Sequence, residues 1–334
     1  VSQQGAKFFL LLPRPDDGAA LAAASDSGGL SGSQKSRLFM PSLGHRLEFL
    51  AVRAGLAFLK ALGPVGASNV AGSLTRTIGP FIGASRIADR NLSMAMPELD
   101  AAQRKAIIAD VWENMGRTVG ELVHLSALRE TTTGPGFRIS GWENVVVAME
   151  DGPCLFFTGH IANWEIPPLA ALARGVEVAF MYRAASNPLV DKLIVDMRNA
   201  AFGGNVKMFA KGAPGAIAAY RHVARGGNLG FLNDQKLDNG IAVPFFGRPA
   251  MTAPALATFA LKVGLAVVPM YVIREAPARL HVVFEPPLPV VQTGNMDADI
   301  LALTVQTNDC IERWVRARPG SWLWLHRRWP KNTY

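Results

Sequence analysis

From Cys154 onward the chain alternates short unbroken apolar runs with segments of helical period, and this alternation limits its possible folds severely. Strands are expected over 154–158, 176–182, 205–209, 228–232 and 265–273, with helices over 188–200, 213–224, 254–263 and 297–316. Strands apolar at every position are buried on both faces, which requires a largely parallel sheet with helices on both sides. The stretch "VVPMYVIREAPARLHVVFE" reads as a β-hairpin, so the sheet is expected to be mixed. Ligands in such open α/β sheets bind outside the carboxyl ends of the strands.

Three regions are expected: a flexible leader over 1–44, a helical membrane-associating region over 45–130, and an α/β core over 131–334 that ends in a Trp/Arg-rich stretch. The leader is rich in Ala, Gly, Ser and Asp without period. Its "KFFLLLPRPDD" has an apolar core of five residues cut by Pro13, too short for a secretion signal. Next, "HRLEFLAVRAGLAFLKALG" predicts a mostly apolar helix stopped by Gly63 and Pro64. Arg46, Arg53 and Lys60 recur on it every seven residues, nearly two turns, and form one narrow cationic stripe. Two readings fit this helix: a core helix with one solvated edge, or a helix lying in a membrane interface with its cations beside lipid phosphates. Ile108, Val111, Met115, Val119 and Leu122 mark a second, amphipathic helix. On it Arg117 and Glu121 are spaced as a solvated i,i+4 pair, and His124 is expected to be structural.

The net charge of +8 and pI near 9.8 favour an anionic partner. No basic reading helix or aromatic-glycine RNA motif is present, so nucleic acid is not expected. Two cysteines, Cys154 and Cys310, give neither a disulfide framework nor a zinc site. No run reaches the roughly 18 apolar residues of a membrane span.

The expected strand at 154–158 runs into "GHIANWE". His160 and Glu165, five apart, cannot share a helix face, but a strand end turning into a helix brings them together. A base needs a third group to fix its tautomer, and Glu165 is the local candidate. Taken alone, this spacing arises easily by chance. Its context strengthens it: an apolar strand before it, and Gly159 allowing close backbone approach. Cys154 is a poor nucleophile for His160, since six strand residues separate them by about 20 Å. Ser140 and Ser186 lack the glycines of a nucleophile elbow.

"TGHIANWE", followed in order by "MYRAASNP", "LNDQ", "VPFFGRPAMTAPALATFALKVGLAVVPMY" and "PGSWLWLHRRWP", resembles the lauroyl/myristoyl acyltransferases of bacterial lipid A biosynthesis. "RNLSMAMPEL" and "ENMGRTVGEL" are similar to that family's helical amino-terminal portion, and the resemblance spans residues 47–330. Two departures stand out: residues 1–44 have no counterpart, and the amino-terminal anchor is charged. The resemblance implies a glycerolipid acyltransferase-like α/β fold at the cytoplasmic face of the bacterial inner membrane. It implies fatty acyl transfer from acyl carrier protein to a hydroxyl of a phosphorylated lipid A precursor, without cofactor, metal or covalent intermediate. His160 is then the general base and Glu165 its orienting partner. Such a base contributes about 10²- to 10⁴-fold in rate.

Arg183 ends the next strand and is expected to bind a phosphate or the developing oxyanion. Asn163, Asp234, Gln235 and Arg248 are further substrate candidates, although Asp234 and Gln235 also suit a turn with Asp238, Asn239 and Gly240. Asn187 and Pro188 fit a helix cap better than a substrate contact. Trp314, Trp322, Trp324 and Trp329 are four of the seven tryptophans and stand among Arg327, Arg328 and Lys331. Core packing suits Trp322 or Trp324 taken singly. The whole cluster, with the basic stripe, points to membrane contact through Arg46, Arg53, Lys60, Trp322 and Trp329. Two other readings stay open: an acyltransferase for another glycolipid such as a phosphatidylinositol mannoside, and a non-catalytic lipid-binding protein of the same fold.

Overall fold

The computed structural model describes residues 42–334 apart from 205; the leader sequence up to 41, with its Pro13 break, lies outside the described residues. Four helices precede the sheet: α1 (Leu43–Ala61), α2 (Gly63–Ile78), α3 (Ala84–Ala95) and α4 (Ala101–Leu122). Ser42 caps α1 by accepting from the His45 amide at 3.2 Å. Pro64 ends α1 as expected and also opens α2, where its missing N–H costs nothing. The small residues of α2 conceal it in the sequence. They also let it pack tightly: Gly116 and Gly120 of α4 lie where a Cβ would stand 2.3 Å from the Ala71 carbonyl oxygen and 2.4 Å from that of Ala67. α4 begins in a reciprocal capping box between Asp100 and Gln103.

The expected solvated Arg117–Glu121 pair does not form. Arg117 pairs with Glu113, while Glu121 faces inward, is fully buried, and pairs with Arg274. α4 is covered on the side away from its apolar stripe as well, where Ser68 of α2 and the Ala278 amide reach Glu121, and a buried carboxylate there needs partners from other elements. His124 is structural as expected, buried with Nε2 3.3 Å from the Leu59 carbonyl.

After a linker come β1 (Gly136–Ser140), α5 (Trp142–Ala148), β2 (Cys154–Thr158), α6 (Ile166–Ala173), β3 (Val178–Tyr182), α7 (Pro188–Ala201), β4 (Met208–Ala210), α8 (Ala213–Ala224) and β5 (Asn228–Leu232). The chain continues through β6 (Lys236–Phe245), β7 (Arg248–Thr252), α9 (Ala255–Val263), β8 (Ala266–Ala276), β9 (Arg279–Phe284) and α10 (Met296–Ala317). Seven strands form one helix-flanked sheet in the order β1-β9-β8-β2-β5-β3-β4, while β6 and β7 make a separate antiparallel pair. β8–β9 is the expected hairpin and the one antiparallel pairing in the large sheet. The fold is therefore α/β with a mixed, mostly parallel sheet. β2 lies at its centre and is buried at every position.

Beyond α10 the chain folds back across the sheet edge. Trp322 and Trp324 are fully buried and Trp329 nearly so, which corrects the expectation that Trp322 and Trp329 contact a membrane. Each indole finds a partner inside: Trp322 Nε1 donates to Asp234 at 2.7 Å, and Trp324 Nε1 to the Pro319 carbonyl at 2.8 Å. The Trp329 ring packs on Phe245. These large rings fill the space between the β6–β7 pair, the amino-terminal helices and the sheet edge.

Candidate active site

β2 and β5 are hydrogen-bonded parallel neighbours with Thr158 opposite Leu232. Two residues past that pair stand His160 and Asp234. Equal offsets beyond a parallel register bring the two together although 74 positions separate them. Asp234 Oδ1 lies 2.8 Å from His160 Nδ1, and its Oδ2 accepts from the His160 amide at 2.8 Å and from Trp322 Nε1 at 2.7 Å. Gly159 leaves room for this approach, since a Cβ there would meet the Asp234 carboxyl at 3.3 Å. Burial alone would raise the Asp234 carboxyl. The adjacent His160 ring and its hydrogen bonds outweigh that and hold it far below the usual carboxylate range.

His160 Nε2 is left at the rim of the sheet, 3.5 Å from the Gln235 amide nitrogen, with the Trp164 ring edge-on at 5.1 Å between centroids. Here an imidazole has one nitrogen fixed by a carboxylate and the other free to take a proton. Strand order carries the same edge further. β3 lies beside β5 and β4 beside β3, with Tyr182 opposite Ala210. One step beyond that pair are Arg183 and Lys211. Burial, and then the Arg183 charge, push the Lys211 amine down, while Asp234 opposes the shift. Lys211 carries no signature in the sequence. Its position in the site follows from β4 being the neighbour of β3.

The carboxylate expected to orient the histidine is elsewhere. Glu165 forms a buried two-pronged pair with Arg198 of α7, Nε to Oε2 at 2.8 Å and Nη2 to Oε1 at 2.6 Å. The reason is local: Ala162 adopts a left-handed φ of 49°, and the turn it makes carries Glu165 to the start of α6, facing α7. Asn163, a substrate candidate by sequence, is fully buried and occupied by Glu121 and the Glu165 amide. Asp234, another such candidate, is fully buried with both oxygens engaged, so it holds the histidine and does not face a ligand. Arg248 opens β7 in the separate pair and donates to the Met94 carbonyl at 3.2 Å. Among the described residues no contact joins it to His160. Asn187 caps α7 by accepting from the Leu189 amide at 3.0 Å and donates to the His45 carbonyl of α1 at 2.9 Å. Cys154 is buried, with its thiol pushed up to about 11 by that burial, and is no nucleophile.

A histidine–acid couple at the carboxyl edge of an α/β sheet suits proton abstraction from a hydroxyl. The family model for bacterial lipid A biosynthesis acyltransferases matches residues 38–331. The chain belongs to this family. Its curated relatives include a protein of Shigella flexneri named lipid A biosynthesis acyltransferase 1, which is 24% identical over 243 residues, covering 70% of this chain and 72% of the relative. The lipid A biosynthesis myristoyltransferase of Escherichia coli (strain K12) is 23% identical over 240 residues, with 70% and 72% covered. Membership makes the chain an acyltransferase of lipid A biosynthesis, and the acceptor a lipid A precursor. For this family member the His160 block is thus the end of a central strand, with a carboxylate from the neighbouring strand on its ring.

Proposed function

We propose that the protein transfers a fatty acyl chain from the thioester of acyl carrier protein to a hydroxyl of a phosphorylated lipid A precursor, with His160 as general base. The observation that carries this reading is the 2.8 Å contact between His160 Nδ1 and buried Asp234, which leaves Nε2 at the rim. As the acceptor oxygen attacks the thioester carbonyl, its proton passes to Nε2 and the new C–O bond forms. The tetrahedral oxyanion then collapses and the C–S bond breaks. The departing thiolate takes the proton back from the imidazolium, so the enzyme returns unchanged. Asp234 fixes the tautomer and stabilises the transient cation. Arg183 and Lys211, on the adjacent strand ends, supply positive charge for the acceptor phosphate or the oxyanion. Glu165 acts indirectly, by anchoring the turn to α7 through Arg198.

The same reading has the protein lying on the cytoplasmic face of the inner membrane. Arg46, Arg53 and Lys60 are all exposed on α1. On the same helix Leu47, Leu50 and Phe58 are at least 57% exposed, as are Leu74 of α2 and Phe81 just beyond it. Exposed leucines and phenylalanines beside cations suit an interface in which apolar side chains enter the acyl layer and cations meet phosphates. No helix among the described residues is long and apolar enough to cross a membrane.

Incubation of purified protein with radiolabelled acyl carrier protein and separate acceptor lipids tests the activity. Transfer to a lipid A precursor is expected, with His160→Ala lowering turnover about a hundredfold or more. Transfer only to a different glycolipid, or wild-type turnover in His160→Ala, overturns the assignment.

A further inference from the structure

The turn that presents His160 is strained and is held from outside the sheet. Ala162 has a left-handed φ of 49°, a conformation that a side chain with a Cβ rarely adopts. Strain of this kind persists only where the surroundings over-determine it. The Ala162 carbonyl accepts from Asn114 at 3.1 Å and from Thr118 at 3.0 Å, both on α4, and its amide donates to the Ser321 carbonyl at 2.9 Å. One helical turn further along α4 lies Glu121, fully buried. Its Oε1 accepts from Ser68 of α2 at 2.8 Å, from the Ala278 amide at 3.0 Å, and from Arg274. Its Oε2 accepts from Asn163 Nδ2 at 2.8 Å, and Asn163 Oδ1 in turn accepts from the Glu165 amide at 3.1 Å. Ala278, whose amide Glu121 holds, is itself left-handed with φ 53°. One buried carboxylate therefore touches both turns and ties the amino-terminal helices to the segment between His160 and Glu165.

We propose that Glu121 is a positioning residue for the reaction: through Asn163 it locks the turn from His160 to Glu165 and so fixes where the imidazole stands. The proposal rests on His160 being the base. A carboxylate is needed at 121 because four donors converge on it from four directions, and Asn163 must supply a donor to Glu121 and an acceptor to the Glu165 amide at once. Exchanging the two chemistries reverses one hydrogen bond and keeps the rest. In the double variant Glu121→Gln/Asn163→Asp, the new amide at 121 donates to the new carboxylate at 163. That carboxylate still accepts from the Glu165 amide, and the net charge of the buried cluster is unchanged.

The test compares Asn163→Ala, Glu121→Gln and the double variant in the full chain, using radiolabelled acyl carrier protein and lipid A precursor. Asn163→Ala leaves the Glu121–Arg274 pair whole and carries the test if Glu121→Gln does not fold. Each single variant is expected to lose about tenfold or more in kcat, because small misplacements of a base cost rate steeply. KM for the acceptor should stay near wild type, and the double variant should recover most of the loss. A second readout needs no substrate: the hydrogen-bonded Nδ1 proton of His160, followed by NMR, should weaken or broaden in the single variants and return in the double. Wild-type kcat with an unchanged Nδ1 signal in Asn163→Ala overturns the proposal, as does a double variant no better than the worse single. If wild-type protein transfers nothing to any acceptor, the acyl-transfer reading fails, and the NMR signal still decides the positioning role.

Discussion

Two regions carry the same membrane-like composition and put it to opposite uses. The amino-terminal helix α1 displays Leu43, Leu47, Leu50 and Phe58 at exposures of 57–73%, with Arg46, Arg53 and Lys60 exposed among them. The carboxy-terminal segment holds Trp322, Trp324 and Trp329 beside Arg327 and Arg328, yet all three indoles are 0–1% exposed and Arg328 is fully buried. Aromatic and basic residues favour a bilayer interface only where the fold leaves them outside. The difference lies in what each segment can pack against. α1 meets its neighbours along one side only, whereas the terminal segment is enclosed by the sheet edge, the β6–β7 pair and α3. There part of its polar surface finds partners inside: Arg328 donates to the Met251 carbonyl at 3.1 Å and to Thr252 at 2.7 Å, and its guanidinium lies 4.9 Å from the centre of the Phe245 ring.

The largest effect that separates the regions is on membrane affinity. Each cation near an anionic surface is worth about 1 kcal/mol, so reversing Arg46, Arg53 and Lys60 to glutamate should weaken binding to anionic vesicles by at least about a hundredfold. Thermal stability should not change. Flotation at low and high salt reads this, and high salt should weaken wild-type binding only in part because apolar burial persists. If the triple variant floats as well as wild type, the comparison fails on the α1 side.

Next comes Trp322→Phe, which removes the donor to Asp234 and leaves a void beside Phe245, Trp324 and His326. A cost of roughly 2 to 4 kcal/mol in stability is expected, together with lower turnover as Asp234 loses one of its three donors. Vesicle affinity should be unaffected. A loss of flotation in Trp322→Phe would return that indole to the membrane surface.

The smallest of the three effects is a pH dependence. His326 has both ring nitrogens buried without a good hydrogen bond, and burial, with His160 and Arg328 nearby, pushes its pKa down to about 4 although Asp234 pulls the other way. Between that value and the ordinary 6.5 the unfolded chain binds a proton that the folded chain refuses, so stability falls as pH drops through this window. The effect amounts to roughly 2 kcal/mol across the window, discounted because His326 as a whole residue is only half-buried. His326→Leu should flatten it in urea titrations. His222 and His281, also pushed down mainly by burial, leave a residual slope of the same sign. Asp234 acts in stronger acid: its depressed carboxyl stabilises the fold above the usual carboxylate range and is lost only below it. An unchanged slope in His326→Leu contradicts the buried state assigned to this ring.

Much of the fold was legible because it rests on local pattern. The residues 154–158, 213–224 and 228–232 form the expected strand, helix and strand with the same limits. The helix α2 was not legible, since its Ala, Gly and Ser residues give no apolar period. Of the site, His160 could be read from its place at the end of a buried strand, and Arg183 from the end of the next. The partner of His160 could not, because β2 lies beside β5 and not beside β3, and strand order is a property of the assembled sheet. Asp234 did carry a signal: it follows β5 by two residues just as His160 follows β2. Glu165, nearer in sequence, is diverted by the left-handed turn at Ala162, which no local propensity predicts for an alanine.

The carboxylate on the ring of His160 is Asp234, while Glu165 is paired with Arg198. The most direct measurement is kcat for acyl transfer by purified, folded Asp234→Asn and Glu165→Gln proteins under identical conditions. Loss of the buried charge on the ring is expected to cost Asp234→Asn about a hundredfold or more in kcat, whereas Glu165→Gln should lose less, in step with the stability removed by breaking its pair with Arg198. Wild-type turnover in Asp234→Asn, with Glu165→Gln inactive yet fully folded, would contradict the account.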